Sequence, residues 1–266
     1  NSLPDVLDEA RWGIDWLLKM NPSENIMFNQ LGDDRDHLGM RIPKEDSFYG
    51  KEFERPVYFV SGEPQQRGKF MNNTTGTSST AAKFASVYAL AHKLYQTDSL
   101  FRKHDKRRGY YNKAFNAYNY ALKKTGVTQT ASVRSPYIYA EENWHDDMEL
   151  ALTAIHDMVN HSAGAADNGY YMVQALAYAK KEKITPWLGA DTAKHYQWYP
   201  FINLGHYELI KAIQSKQFAP GRGYDKNFVT SFRSYADTVL NYYKQGIQKV
   251  WSKASGNAFY RGVPFI

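Results

Sequence analysis

The 266-residue chain has no cysteine at all. That excludes a disulfide scaffold, a thiolate zinc site and a cysteine nucleophile. No apolar run approaches the roughly 20 residues that span a bilayer, so no membrane span is expected. His-x-x-x-His and His-Glu-x-x-His are missing. His156 and His161 stand five apart, a poor spacing for one helix face, so neither a metal nor another cofactor is expected. There is no Gly-x-Ser-x-Gly elbow and no glycine-rich phosphate loop beyond the weak Gly221-Arg222-Gly223. Short repeats are absent too, which excludes a tetratricopeptide or HEAT solenoid.

What is present is a chain able to bury a core, with 43% hydrophobic and 23% charged residues. The net charge is +6. The basic residues gather in one turn, 98–108, rather than along a helix face. That distribution favours a solvated turn over nucleic-acid contact. The 6 Trp, 21 Tyr and 14 Phe discriminate better. Flat amphipathic rings suit sugar faces, although any single ring is more often core.

Apolar spacing predicts about seven helices. The first opens at Ser2 as N-cap and carries Leu3, Leu7, Ala10, Ile14, Leu17 and Leu18 on one stripe. Residues 21–78 read as a long irregular segment with a short strand at 56–60. Helices then follow over 80–95, 108–124, 144–161, 169–181, 200–214 and 225–253, the last broken at Gly246. Asn143 is the expected cap of the 144–161 helix, whose buried stripe is Met148, Leu152, Ile155 and Val159. The apolar finish at 262–266 and the start at Asn1 both read as cuts inside a larger fold.

Three constellations could carry chemistry. Gly32-Asp33-Asp34-Arg35-Asp36-His37 sets three carboxylates, a cation and an imidazole on one loop. Close carboxylates split each other's pKa values, although a solvated acidic turn is the plain alternative. In the stretch 137–149, rings alternate with carboxylates at a helix start, with Tyr137, Tyr139, Trp144 and His145 as ligand candidates. Asp146, Asp147 and Glu149 read there as ordinary acids of a first helical turn. Trp187, Trp198 and Tyr199 form the third group.

The run Leu7-Asp8-Glu9-Ala10-Arg11-Trp12-Gly13-Ile14-Asp15-Trp16-Leu17-Leu18-Lys19-Met20 resembles the LDE-R-W helix of the family 9 glycoside hydrolases, mostly endo-β-1,4-glucanases. Gly32 with Asp36-His37 resembles that family's glycine–aspartate–histidine loop. Residues 80–91 resemble its alanine-rich helix, and Asp147-Met148-Glu149-Leu150-Ala151 its aspartate–glutamate–leucine helix start. The resemblance implies an all-α (α/α)6 toroid, incomplete in this chain, and inverting hydrolysis of β-1,4-glucans by an aspartate base and a glutamate acid. It makes 1–266 one domain, the central part of a catalytic module. The catalytic carboxylates fall outside it, and its partners are a β-glucan and the missing segments of the parent. Asp36, His37, Tyr137, Tyr139, Trp144, His145, Trp198 and Tyr199 become the substrate-contact candidates. Asp33 and Asp36 mimic the family's catalytic D-x-x-D spacing but stand on the wrong side of the LDE-R-W helix. The family's frequent Trp three residues after the histidine is Met40 here. A secreted, periplasmic or cell-surface location is implied. The alternatives are another toroid glycosidase, such as a glucosaminidase, or a helical binding scaffold without chemistry.

Overall fold

The computed structural model describes residues 2–51, 54–105, 109–135, 138–162, 169–181, 204–215, 218, 220 and 224–254. They form two compact units, Asn1–Trp144 and His145–Ile266. Both are helical, as the apolar spacing predicts, and among the described residues the sole sheet is one two-stranded ribbon.

In the first unit, α1 (Asp5–Met20) carries Asp5 and Asp8 in its first turn and Lys19 in its last, each at the end its charge favours. The N-cap is Pro4, not Ser2, and it offers no side-chain cap. Ser2 instead shares a 3.0 Å hydrogen bond with His104. Ile14 and Met20 are buried, whereas Trp12 is 68% exposed. Within the long segment, β1 (Phe28–Leu31) pairs antiparallel with β2 (Val57–Phe59), and a bulge lies between Phe28 and Gln30. β2 falls inside the expected strand at 56–60; β1 is an addition.

α2 (Ser78–Thr97) and α4 (Tyr110–Lys123) pack most extensively in this unit. Their facing positions are small: Ala81, Ala82, Ala85 and Ala89 on α2, Ala114, Ala117 and Ala121 on α4, all buried. Small side chains let two helix axes approach closely; Phe84 and Tyr88 are buried on α2 as well, and the Tyr88 hydroxyl donates to the Leu17 carbonyl of α1 at 3.2 Å. The basic stretch contains a further helix, α3 (Ser99–His104), rather than only a turn. Asp98 caps it by accepting from the Phe101 N–H at 2.8 Å, and the Phe101 side chain is fully buried. A buried anchor outweighs the charge pattern there.

The N-terminus of α2 also closes the C-terminus of α4. The Thr77 hydroxyl donates to the Tyr120 carbonyl at 2.8 Å, and the Ser78 hydroxyl to the Ala121 carbonyl at 2.8 Å. These satisfy carbonyls that a helix end leaves without partners. Just beyond, Gly76 and Gly126 cross. A Cβ on Gly76 would lie 2.4 Å from the Gly126 nitrogen and 2.5 Å from the Lys124 carbonyl oxygen, closer than backbone atoms permit.

In the second unit, α5 (His145–Asn160) packs on both α6 (Tyr170–Ala179) and α7 (Leu204–Gln214), and α7 on α8 (Lys226–Ala254). The anticipated stripe Met148, Leu152, Ile155 and Val159 is buried. Phe232 and Val239 are buried on α8, which runs through Gly246 without the expected break. α8 has enough flanking helical hydrogen bonds to absorb the roughly 1 kcal/mol cost of one interior glycine.

Gly76→Ala should destabilise the chain by about 1–3 kcal/mol through overpacking against backbone that cannot yield. A urea melt showing no loss would remove the crossing from the fold's essential contacts.

Candidate functional site

The loop 32–37 is built on a buried carboxylate. Asp33 opens a short 3-10 turn (Asp34–His37) by accepting from the Arg35 N–H at 3.1 Å. The Arg35 guanidinium grips both Asp33 oxygens, at 2.7 and 2.6 Å, in a forked geometry. Tyr58 donates to the same carboxylate at 2.6 Å from inside β2, and Tyr49 lies at 3.4 Å. Burial on its own would raise the Asp33 carboxyl. The Arg35 and Tyr58 hydrogen bonds overcome it and hold the group at about 2. Burial and then the Asp33 charge raise the Tyr58 and Tyr49 hydroxyls above their ordinary range.

Arg41 and Arg55 extend this network. Arg41 pairs with Asp36 and, at 3.3 Å, with Asp46. Arg55 pairs with Asp36 at 3.2 Å and with Asp46 at 2.7 Å. The guanidinium carbons of Arg35, Arg55 and Arg41 lie 4.8, 5.2 and 5.6 Å from the Tyr49 ring centre, within cation–π reach. The Phe48 N–H, followed by Arg41 and Arg55, pulls the Asp46 carboxyl below its usual range.

Asp34 does separate work. Its carboxylate accepts the backbone N–H groups of Val133 (2.8 Å), Arg134 (2.8 Å) and Ser135 (2.6 Å). Burial opposes its ionisation, but those three donors win and lower its pKa. Nearby, Gln30 and Ala131 exchange two hydrogen bonds, at 3.0 and 2.8 Å. The loop is thereby fastened to the stretch that leads on to Tyr139 and Trp144.

The candidate contact residues divide accordingly. Asp36 is half-buried and committed to two arginines, while His37, next to it, is exposed. Tyr139 is 40% exposed, and its N–H donates to the Thr130 hydroxyl at 2.7 Å. Trp144 is half-buried, with its N–H held by the Asn143 side chain at 2.9 Å. In the first unit the loop that carries His37 is thus fastened to residues 131–135. His145 belongs to the second unit, where its half-buried ring lies 6.2 Å from that of Tyr178. Burial, then the Lys181 charge, lowers its pKa. Tyr137, Trp187, Trp198 and Tyr199 lie outside the described residues.

Both carboxylates of the D-x-x-D pair are engaged by cations. Asp33 has a fully buried side chain with both oxygens engaged, and Asp36 is locked between arginines. One reading needs correction: Glu149 is no ordinary first-turn acid but fully buried against His206 on α7. No spacing in the sequence links Asp34 to 133–135, or Glu149 to His206, since each pair joins distant segments. Among the described residues no three His, Asp or Glu side chains converge to hold a metal ion. None of the described helices is long and apolar enough to cross a membrane.

The family model described as Glycosyl hydrolase family 9 matches residues 1–263. A curated relative, Endoglucanase 1 of Oryza sativa subsp. japonica, is 30% identical over 115 residues. That match covers 41% of this chain and only 17% of the relative's length. No solved structure matches the chain.

Asp33→Asn should cost about 2–4 kcal/mol at neutral pH, because it strips the charge from a buried, hydrogen-bonded pair. A depressed folded pKa gives stability that is present above the ordinary aspartate range near 4 and lost as pH falls through it. The gap between wild type and variant should therefore close between about pH 4 and about pH 2. A constant gap across that window, in urea melts, would contradict the assignment.

Proposed function

The chain belongs to glycosyl hydrolase family 9, and from that membership we propose that it supplies sugar-binding positions for inverting hydrolysis of β-1,4-linked glucans. Cellulose, xyloglucan and mixed-linkage glucan are the candidate polymers. The observation that carries this reading is the family match across residues 1–263. The rice relative's name, an endoglucanase, favours the same substrate class. In this reading residues 1–266 are part of one (α/α)6 catalytic module acting outside the cell.

Inverting cleavage needs a general acid and a general base placed about 6.5–9.5 Å apart across the scissile bond. The carboxylates of the Asp33–Asp36 loop are engaged by arginine, tyrosine and backbone donors. We therefore assign both catalytic carboxylates to parent sequence outside residues 1–266. Within the chain, His37 offers its exposed ring to a sugar hydroxyl, and Asp36 sets the backbone that presents it. The further candidates of this reading, as ring platforms and hydrogen-bond partners, are Tyr139 and Trp144 of the first unit, His145 of the second, and Tyr137, Trp198 and Tyr199. The exposed side chain of Met40 (101%) flanks the loop as a flexible apolar contact rather than a flat one.

Two outcomes follow. The isolated chain should hydrolyse carboxymethylcellulose and xyloglucan at background rates only; robust turnover would return Asp33 and Asp36 to candidacy as catalytic groups. In the intact parent enzyme, Trp144→Ala should weaken cello-oligosaccharide binding several-fold to about tenfold. The basis is about 1–2 kcal/mol of lost stacking area. His37→Ala should weaken it about fivefold, through one hydrogen bond of about 1 kcal/mol. Titration calorimetry reads both. A lower Tm with unchanged affinity per folded molecule would make Trp144 a packing residue instead.

A further inference from the structure

In the second unit a polar contact lies where α5, α7 and α8 otherwise bury apolar side chains. Glu149 on α5 and His206 on α7 are both fully buried. The His206 Nδ1 stands 2.9 Å from Glu149 Oε1, and the Tyr235 hydroxyl, from α8, is 3.3 Å from the same nitrogen. Glu149 Oε2 and His206 Nε2 are buried without a hydrogen-bond partner among the described residues. Gly205 makes room for this arrangement: a Cβ there would lie 3.1 Å from Glu149 Oε2 and 3.1 Å from the Asp146 carbonyl. The carboxylate therefore abuts the first turn of α7, the positive end of that helix.

The groups that face the pair are few. Asp146 precedes Glu149 on the same helix and adds a like charge. Tyr235 faces it from α8. α6 contributes only apolar buried residues, Met172, Ala175, Leu176 and Ala179. On α7, Glu208 and Lys211 pair with each other at the surface.

We propose that Glu149 and His206, with Tyr235 beside them, form a one-proton lock that fastens α5 to α7 and loosens the second unit when its proton is lost or a second is added. The bookkeeping is simple. With one proton between Nδ1 and Oε1, a donor faces an acceptor, whichever atom holds it. Losing that proton leaves a carboxylate beside a neutral imidazole whose one remaining N–H can only shift to Nδ1, so the buried pair carries a net negative charge. A second proton leaves an imidazolium facing a neutral carboxylic acid, a net positive charge on a buried pair. Either state carries a desolvation cost that the paired state offsets. The direction for Glu149 agrees: burial raises its carboxyl, against the opposing pull of His206. An acid raised on folding contributes stability that fades as pH rises through its folded pKa. The pair titrates as a unit, so both flanks belong to the couple rather than to either residue. This inference stands apart from the glucanase reading, since it needs no substrate.

The test compares the full chain with E149M/H206L and with E149Q, by thermal unfolding across pH and by amide hydrogen exchange of α5 and α7. Relative to E149M/H206L, the wild type should lose about 2–4 °C or more in Tm on each flank. Exchange of α5 and α7 amides should rise on those flanks in the wild type alone. E149Q preserves the volume and a hydrogen bond but cannot ionise, so it should flatten the alkaline flank and leave the acid one. Parallel profiles for wild type and both variants would overturn the lock. If E149M/H206L does not fold, an E149Q alkaline flank as steep as the wild type's overturns it equally.

Discussion

The loop that follows β1 is organised around one buried charge, the Asp33 carboxylate. A segment with so little regular structure makes few ladder hydrogen bonds, so it must be held by side chains. Asp33 collects Arg35, Tyr58 and Tyr49 around itself, and those groups in turn place Arg41, Arg55 and Asp46. Three carboxylates alternate with three guanidiniums about the Tyr49 ring, so the cluster is close to neutral despite its density of charge. The forked Arg35 contact suits a planar cation in a way lysine could not reproduce.

The two units solve the problem of buried charge differently. In the first, Asp33 meets a fixed cation and Asp34 three backbone donors, and both pKa values fall. In the second, Glu149 is buried more completely, and burial raises its pKa against the opposing pull of His206. An arginine cannot be deprotonated in a protein, so the first arrangement is indifferent to pH above the acid range.

The helices were legible because apolar periodicity survives wherever a helix has one buried face; Met148, Leu152, Ile155 and Val159 lie where that period puts them. α3 was hidden because one buried ring, Phe101, decides it against the seven charged residues of 98–108. β1 was hidden because four residues, Phe28–Leu31, show no full alternation, and the strand exists through its pairing with β2. At the candidate site, His37 and Trp144 were visible as residue types. The roles of Asp33 and Asp34 were not: both stand in one acidic run, yet one is a buried hub and the other a clamp on residues 133–135. Glu149 misled for the same reason, since only the fold reveals that an acid near a helix start points inward.

The Asp34 clamp has a thermodynamic consequence for anything that binds beside it. Three backbone donors from 133–135 and the paired Gln30–Ala131 bonds settle the shape of the loop before a ligand arrives. Ordering a free loop around a sugar would subtract roughly 1 kcal/mol or more per residue from the observed affinity. Here folding has already absorbed that loss. A ligand bound beside this loop therefore meets a surface whose shape is already set.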